Sequence, residues 1–184
     1  MDTAKRSLHA TLLFLLTLVV ACTDDQGDSS DHVASPDSYQ KYEEKGVSFA
    51  YPDSWSFSYD DSPSIYTSRG IGLDISEFST ITILISEDKT LELDYVADRL
   101  LSEFQVKEKD SIKNFTRTSD LIGRFPAETA TWDDHFLGET RYELTVAKVK
   151  SNPHDVFVAF SLSDDDIGNA QDHKERFLKS IRIQ

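Results

Sequence analysis

Apolar and polar residues alternate along two short stretches of the chain that a turn-forming segment separates. A period of two places every second side chain on one face, which is typical of a half-buried β-strand. The first stretch aligns Val47, Phe49 and Tyr51, and the second aligns Trp55, Phe57 and Tyr59. Pro52, Asp53 and Ser54 between them favour a reversal of chain direction. We therefore predict two strands joined by a turn, with both sets of aromatic residues facing inward.

Similar patterns continue along the chain. Alternating apolar residues predict further strands at about 64–75, 79–86, 115–121, 126–135, 139–150 and 154–163. In the strand at 139–150, the apolar set is predicted to face inward (Tyr142, Leu144, Val146) and the polar set outward (Arg141, Glu143, Thr145). Gly138 indicates a hairpin turn before that strand.

Two stretches have the three- and four-residue spacing of an amphipathic helix. The first covers residues 91–106, and the second runs from about Asp165 to Ser180, where Ser163 and Asp166 resemble a capping box. Many short strands with one helix midway and one at the end predict an α+β domain built on an antiparallel sheet. No internal linker interrupts residues 39–184, so we expect one domain. The chain has a single cysteine, so no internal disulfide can support its core.

The first 21 residues have the pattern of a secretory signal peptide. Lys5 and Arg6 form a positive start, and an apolar run from Leu12 to Val20 ends before Cys22. A membrane-spanning helix needs roughly 20 apolar residues, so this run is too short to span a bilayer. We therefore predict that residues 1–21 are removed on export.

The cysteine at the end of this run indicates a particular kind of export. The segment "LVVAC" resembles the bacterial lipobox, which implies cleavage before Cys22, a diacylglycerol on its thiol and a fatty acid such as palmitate on the new amine. Several acyl chains hold a protein stably on a membrane, whereas one does not. The alternative is that Cys22 is an ordinary buried cysteine. Because an acidic, polar segment follows it, we favour lipidation, with the membrane as a partner through this anchor.

Residues 22–38 contain the lipidated cysteine and an acidic segment rich in Asp and Ser. The segment has too few apolar residues for their burial to offset the conformational entropy that the chain loses on ordering. We therefore predict a disordered tether. The net charge of the whole chain is −14, and removal of Lys5, Arg6 and Asp2 with the signal peptide makes it one unit more negative. An acidic protein repels phosphate backbones, which argues against nucleic acid as a partner.

Three motifs carry a resemblance to a known family. "GVSFAYPDSW" (residues 46–55), "IGRFPAETATW" (122–132) and "FLKSIRI" (177–183) resemble, in this order, the opening hairpin, a central strand and the closing helix of PsbP-like domains. The resemblance covers about residues 40–184. It implies a single α/β/α sandwich with a central antiparallel sheet. The matching residues are structural, so the resemblance implies no catalytic residue and no cofactor.

Two acidic clusters are candidate metal sites. Asp133, Asp134 and His135 form one, and Asp164, Asp165 and Asp166 form the other. Carboxylates suit Ca²⁺, but neither cluster has the spacing of an EF-hand loop. For the first we favour an exposed hairpin end, and for the second the capping of a helix, whose positive end attracts carboxylates. We therefore predict no metal and no cofactor site.

The sequence leaves two classes of function open. No Ser or Cys stands in a recognisable nucleophile motif, so we expect that the protein is not an enzyme. Six aromatic residues could line a ligand groove, although core packing explains most of them (Tyr51, Trp55, Phe57, Tyr59, Phe78, Trp132). We expect a non-catalytic protein-interaction or assembly module of the cell envelope. The alternative is a lipoprotein that binds a small ligand or Ca²⁺.

Because Thr23 rather than Asp follows Cys22, the expected location in a Gram-negative cell is the outer membrane, facing the periplasm.

Overall fold

The structure is a computed structural model that describes residues 38–61, 67–104, 106, 110–135, 139–150 and 153–184. All of them belong to one compact unit that spans Ala34–Gln184. The predicted signal peptide, Cys22, all but the last residue of the tether and the turn at Gly138 lie outside the described residues.

Ten strands and two helices follow one another along the described chain. They are β1 (Tyr39–Glu44), β2 (Val47–Pro52), β3 (Ser56–Asp61), β4 (Arg69–Asp74), β5 (Thr80–Ser86), α1 (Leu93–Glu103), β6 (Ile112–Ile122), β7 (Phe125–Asp134), β8 (Thr140–Lys150), β9 (Asp155–Ser163), α2 (Asp164–Ser180) and β10 (Arg182–Ile183). Seven strands form a large sheet in the order β3-β4-β5-β9-β8-β7-β6, and every neighbouring pair is antiparallel.

A small sheet of three strands has the order β1-β2-β10. β1 and β2 are joined by the two-residue turn Lys45-Gly46, with Glu44 opposite Val47. Both turn residues have positive φ, 47° and 75°, which is the requirement of a tight hairpin turn that matches the twist of the strands. Glycine takes this conformation without steric cost, and this favours the turn at Gly46.

The large sheet is covered on both faces. On one face, α1 packs Val96, Ala97 and Leu101 against β7, β8 and β9. On the other face, α2 and the small sheet enclose a larger core, in which Phe49, Phe160 and Phe177 are almost completely buried. Helices on both faces of an antiparallel sheet confirm the predicted α+β class and the α/β/α layering. The helices also lie within about three residues of their predicted bounds.

Burial on both faces corrects two orientation predictions. Glu143 and Thr145, predicted to face solvent, lie under α2, where Lys174 donates to the Glu143 carboxylate at 2.5 Å. Alternation indicates one apolar face, but it does not show that a helix covers the polar one. Conversely, Phe57 and Tyr59 are 45% and 40% exposed, because β3 is an edge strand with a bulge between these two residues.

The capping box predicted at the start of α2 is also different in detail. Ser163 is the N-cap residue, but its side chain makes no capping hydrogen bond to the helix backbone. Its hydroxyl donates to Asp166 at 3.3 Å, and its backbone N–H donates to the Ser79 hydroxyl at 2.9 Å. Ser79 is buried in the loop before β5 and takes the position that the side chain of Asp166 would hold in a capping box. This tertiary contact is invisible in the local sequence.

Candidate functional site

An open groove of about 630 Å³ lies where the end of α2 and β10 meet the β6–β7 turn and the end of β8. Five of the residues that line this groove are basic, and none is acidic: Arg124, Lys148, Lys150, Lys179 and Arg182. We call it the cationic groove. Its position is unexpected on a chain with a net charge of −14.

Four local features place the five basic residues of the cationic groove. Arg124 follows Gly123, whose φ of 60° turns β6 into β7. Lys148 and Lys150 belong to the last residues of β8, and Lys179 lies in the last turn of α2. Arg182 begins β10, and its guanidinium donates to the backbone carbonyls of Lys179 (2.6 Å) and Ile181 (2.8 Å). These bonds satisfy carbonyls at the end of the helix and fix the guanidinium in place.

The charges of the cationic groove are only partly neutralised. Lys148 is paired with Asp155 at 2.8 Å, and Lys179 with Glu175 at 2.6 Å. Within the described part of the chain, Arg124, Lys150 and Arg182 form no ion pair with a carboxylate. The guanidinium of Arg124 instead lies 5.3 Å from the ring centre of Phe125. Three cations are therefore available to an anionic partner.

The floor of the cationic groove is apolar and well packed. Phe125, Val149, Leu178 and Ile181 line it and are at most 6% exposed. Ile183 is half-buried beside them, and Pro126 is exposed at the rim. Because the four floor residues are already buried, the apolar surface left for a ligand to cover belongs mainly to Ile183 and Pro126, and the charged rim supplies orientation.

A second groove, of about 570 Å³, lies beside the N-terminal half of α2 and the start of β1. We call it the aromatic groove. The Tyr39 hydroxyl lies 2.7 Å from Nδ1 of His173, and the His173 ring meets the Trp55 ring edge to face at 5.9 Å. The guanidinium of Arg176 lies over the Tyr39 ring at 3.6 Å, and Asp172 is exposed at the rim. Aromatic and polar groups that converge in this way suit a small polar ligand.

All six residues of the two acidic clusters lie within the described part of the chain. Among the described residues, no group of three or more His, Cys, Asp and Glu side chains is close enough to hold a metal ion. Asp133 accepts a hydrogen bond from Asn114 at 2.6 Å, and Asp134 and His135 are at the end of β7. Asp164 and Asp165 are exposed in the first turn of α2.

The third carboxylate of the α2 cluster, Asp166, is held by protein hydroxyls. Burial raises the pKa of Asp166, but hydrogen bonds from Ser76, Ser79 and Ser163 outweigh burial and keep the pKa below its usual value. The Ser76 bond is 2.6 Å long. The carboxylate therefore connects the loop before β5 to the start of α2.

The aromatic residues singled out in the sequence divide into two sets. Tyr51, Trp55 and Trp132 are buried in the core, whereas Phe57, Tyr59 and Phe78 are exposed. Trp55 alone among these six lines the aromatic groove, and none lines the cationic groove.

Sequence reasoning missed the cationic groove because its basic residues come from four separate segments. The only local signal is that "KVK" (residues 148–150) and "LKSIR" (178–182) are basic stretches in an acidic chain. In addition, neither described helix is long and apolar enough to cross a membrane.

Comparison with known proteins gives similarity of structure only. No protein-family model matches the chain, and no curated protein is similar to it in sequence. The solution structure of cyanobacterial PsbP from Synechocystis sp. PCC 6803 is similar, with 13% identity and a TM-score of 0.49, and covers 90% of this chain and 98% of that one.

Two further solved structures are similar over most of their length. LpqN, involved in cell envelope biogenesis of Mycobacterium tuberculosis, has 12% identity and a TM-score of 0.40, with 80% of this chain and 91% of that chain covered. The Saccharomyces cerevisiae Ran-binding protein Mog1p has 8% identity and a TM-score of 0.44, with 79% and 95% covered. The likeness to these three structures is one of fold, and with TM-scores below 0.5 it carries no statement about family, ligand or partner.

Proposed function

We propose that this chain is a lipoprotein of the bacterial cell envelope whose folded domain binds a protein partner and catalyses no reaction. In this proposal Cys22 carries the lipid anchor, and the acidic segment up to residue 38 connects the anchor to the domain. The partner binds at the cationic groove. The anchor rests on the lipobox-like segment, and the binding role rests on the groove.

The observation that carries the proposal is the presence of uncompensated cations over an apolar floor. Arg124, Lys150 and Arg182 lack carboxylate partners among the described residues, while the chain as a whole is strongly acidic. A local field opposite in sign to that of the whole molecule guides the orientation in which a charged partner approaches. The acidic remainder repels anionic molecules everywhere else, which favours one mode of docking.

The chemistry of the cationic groove suits binding rather than catalysis. Its described lining contains no Ser, Thr, Cys, His, Asp or Glu. The only groups of this lining that could act as a nucleophile or as an acid–base catalyst are lysines, and the described lining holds no hydroxyl, imidazole or carboxylate beside them.

Site-specific photo-crosslinking in the native cell tests this function. We would place a photoreactive phenylalanine analogue at Pro126, exposed at the rim of the groove, and at exposed Phe78 as the matched control. The expected result is a protein adduct of defined mass from position 126 and none from position 78. Adducts of the same mass and yield from both positions, or none from position 126, would contradict the proposal.

Cell fractionation tests the proposed location. Because Thr23 follows Cys22, we expect a Gram-negative cell to place the protein in the outer membrane, facing the periplasm. The protein should be released by detergent and retained in high salt, since a lipid anchor is insensitive to ionic strength. Recovery in the inner membrane, or release by salt alone, would contradict this part of the proposal.

A second candidate function is the binding of a small polar ligand, which the aromatic groove favours. Tyr39, His173 and Trp55 bring aromatic rings together with polar atoms that can form hydrogen bonds. Native mass spectrometry of protein purified from its own cell is the test. A bound molecule that Arg176→Ala releases would support this role, and an unliganded spectrum would argue against it.

A further inference from the structure

We infer that the cationic groove binds an extended acidic segment of the partner protein, which pairs with the outer edge of β10 and adds a strand to the small sheet. This inference rests on the proposed function and specifies the chemistry of the partner. It follows from three features of the groove: a free sheet edge, a set of unpaired cations and an apolar floor.

The first feature is the free edge of the small sheet. β2 pairs with β1 on one side and with β10 on the other, so β10 has one strand neighbour among the described strands. Both residues of β10, Arg182 and Ile183, line the cationic groove. An edge strand presents backbone N–H and C=O groups that pair readily with an added strand. Extended peptides bind many domains in this way.

The second feature is the charge around that edge. Arg182 lies in β10 itself, Lys150 is the last residue of β8, and Arg124 lies in the turn between β6 and β7. The two carbonyl contacts of Arg182 hold its guanidinium in one position before a ligand arrives. A cation that is already ordered loses less side-chain entropy on binding. Carboxylates are the side chains that this arrangement selects.

The third feature sets the pattern of the bound segment. Successive side chains of a strand point to opposite faces, so a strand added at β10 would present one set to the apolar floor and the other to the cationic rim. Ile183 and Pro126, the apolar residues of the groove that keep open surface, suit β-branched or aliphatic side chains. The expected segment therefore alternates aliphatic and acidic residues. A lipid headgroup would use the cations but would leave the strand edge unpaired.

Peptide titration tests the inference with the chain from Thr23 onward. The probe is a fluorescent octapeptide of alternating valine and glutamate, and binding is followed by anisotropy. Two matched peptides are titrated alongside: one with lysine in place of glutamate, and one with alternate backbone amides N-methylated. The double charge reversal Arg124→Glu/Lys150→Glu alters the groove. The control Lys89→Glu/Lys113→Glu makes the same change of net charge at exposed positions outside it.

The inference predicts that the valine–glutamate peptide binds and that the groove reversal weakens binding at least tenfold. The control reversal should weaken it less than threefold. N-methylation should also weaken it at least tenfold, because it removes the backbone donors that a strand needs. The lysine peptide should not bind.

Several results would overturn the inference. Equal affinity for the N-methylated peptide would indicate charge attraction without strand addition. Groove-dependent binding of phosphatidylglycerol vesicles, with no binding of the peptide, would identify a membrane as the occupant. Binding that appears only after residues 23–33 are removed would identify the chain's own acidic segment. A groove adduct in the cell without peptide binding would refute only this inference, whereas peptide binding without any adduct would refute the proposed function.

Discussion

Arg69 holds Asp60 with two hydrogen bonds, from Nε to Oδ1 at 2.7 Å and from Nη2 to Oδ2 at 3.0 Å. The same guanidinium donates to the backbone carbonyls of Glu44 (3.1 Å) and Lys45 (2.9 Å) in the turn between β1 and β2. Asp60 and Arg69 belong to β3 and β4. This ion pair therefore joins the small sheet to the edge of the large sheet. The Tyr42 hydroxyl, whose pKa burial and Asp60 raise to about 12, donates to the same carboxylate at 2.7 Å.

The Asp60 pair predicts a loss of stability in acid. Hydrogen bonding by Arg69, against the opposing effect of burial, keeps the pKa of Asp60 well below its usual value in the folded protein. Such a carboxylate stabilises the fold above its unfolded-state pKa of about 4, and that stability is lost as the pH falls toward the folded-state value. The free energy of unfolding, measured by urea titration, should therefore decline between about pH 5 and pH 2.

Substitution of Asp60 separates this effect from general acid destabilisation. Asp60→Asn should flatten the decline, and Asp60→Ala should cost about 3–5 kcal/mol at pH 7, because it leaves a half-buried arginine without its partner. The exposed pair Lys41–Glu43 is the control, and Glu43→Gln should cost under about 1 kcal/mol. If Asp60→Asn keeps the full acid decline, other groups are responsible for it.

Trp55 is predicted to be a core residue whose truncation is costly. It is 3% exposed and packs against the rings of His173 and Phe177. Trp55→Ala should therefore lower the free energy of unfolding by about 3–5 kcal/mol. Phe78→Ala, at a position that is 67% exposed, should change it by less than about 0.5 kcal/mol. A similar loss of unfolding free energy at the two positions would show that burial does not determine how much each side chain stabilises the fold.

Gly72 is predicted to be required by the ring of Tyr59. A Cβ atom at position 72 would lie 2.2 Å from Cε1 of that ring, well inside contact distance. Gly72→Ala should displace the half-exposed ring and cost about 1–2 kcal/mol. In the background of Tyr59→Ala, the same substitution should cost much less, which a double-mutant cycle measures. Additive costs would mean that the ring does not constrain this position.

Cys22 is predicted to be the site of lipid attachment. Cys22→Ala should abolish incorporation of labelled palmitate and leave an uncleaved precursor that migrates more slowly on a gel. Cys22 is the only cysteine of the sequence, so no other thiol can accept the lipid and the result is unambiguous. Unchanged labelling would contradict the lipoprotein proposal.

Local pattern explains most of the fold. Strong alternation, as in Ile81, Ile83 and Ile85 of β5, predicts a strand because its side chains meet one continuous core. Alternation does not predict β1 as a strand of its own, because its two apolar residues, Tyr39 and Tyr42, do not stand two residues apart. β10 has two residues, too few for any period to show. Strands of this kind are defined by their pairing partners, which are far away in the sequence.

The cationic groove was beyond prediction for a related reason. Arg124 and Lys150 are unremarkable in the sequence, since single exposed cations occur on every soluble protein. They become a site only through the crossing of α2 over the large sheet, which brings the end of "FLKSIRI" beside them. Sequence pattern indicates burial and secondary structure, whereas a surface of convergent charge depends on the tertiary arrangement.

The pairing of β2 with β10 has a consequence for the order in which the chain is assembled. Val47 lies opposite Ile183, so the small sheet joins residues from the beginning and the end of the described region. Contacts of such long sequence separation close late and slow the folding of a domain. A chain that emerges progressively, as from a ribosome, cannot complete this sheet until residues 182 and 183 are free to pair with β2. Completion of the small sheet is therefore one of the last steps of folding.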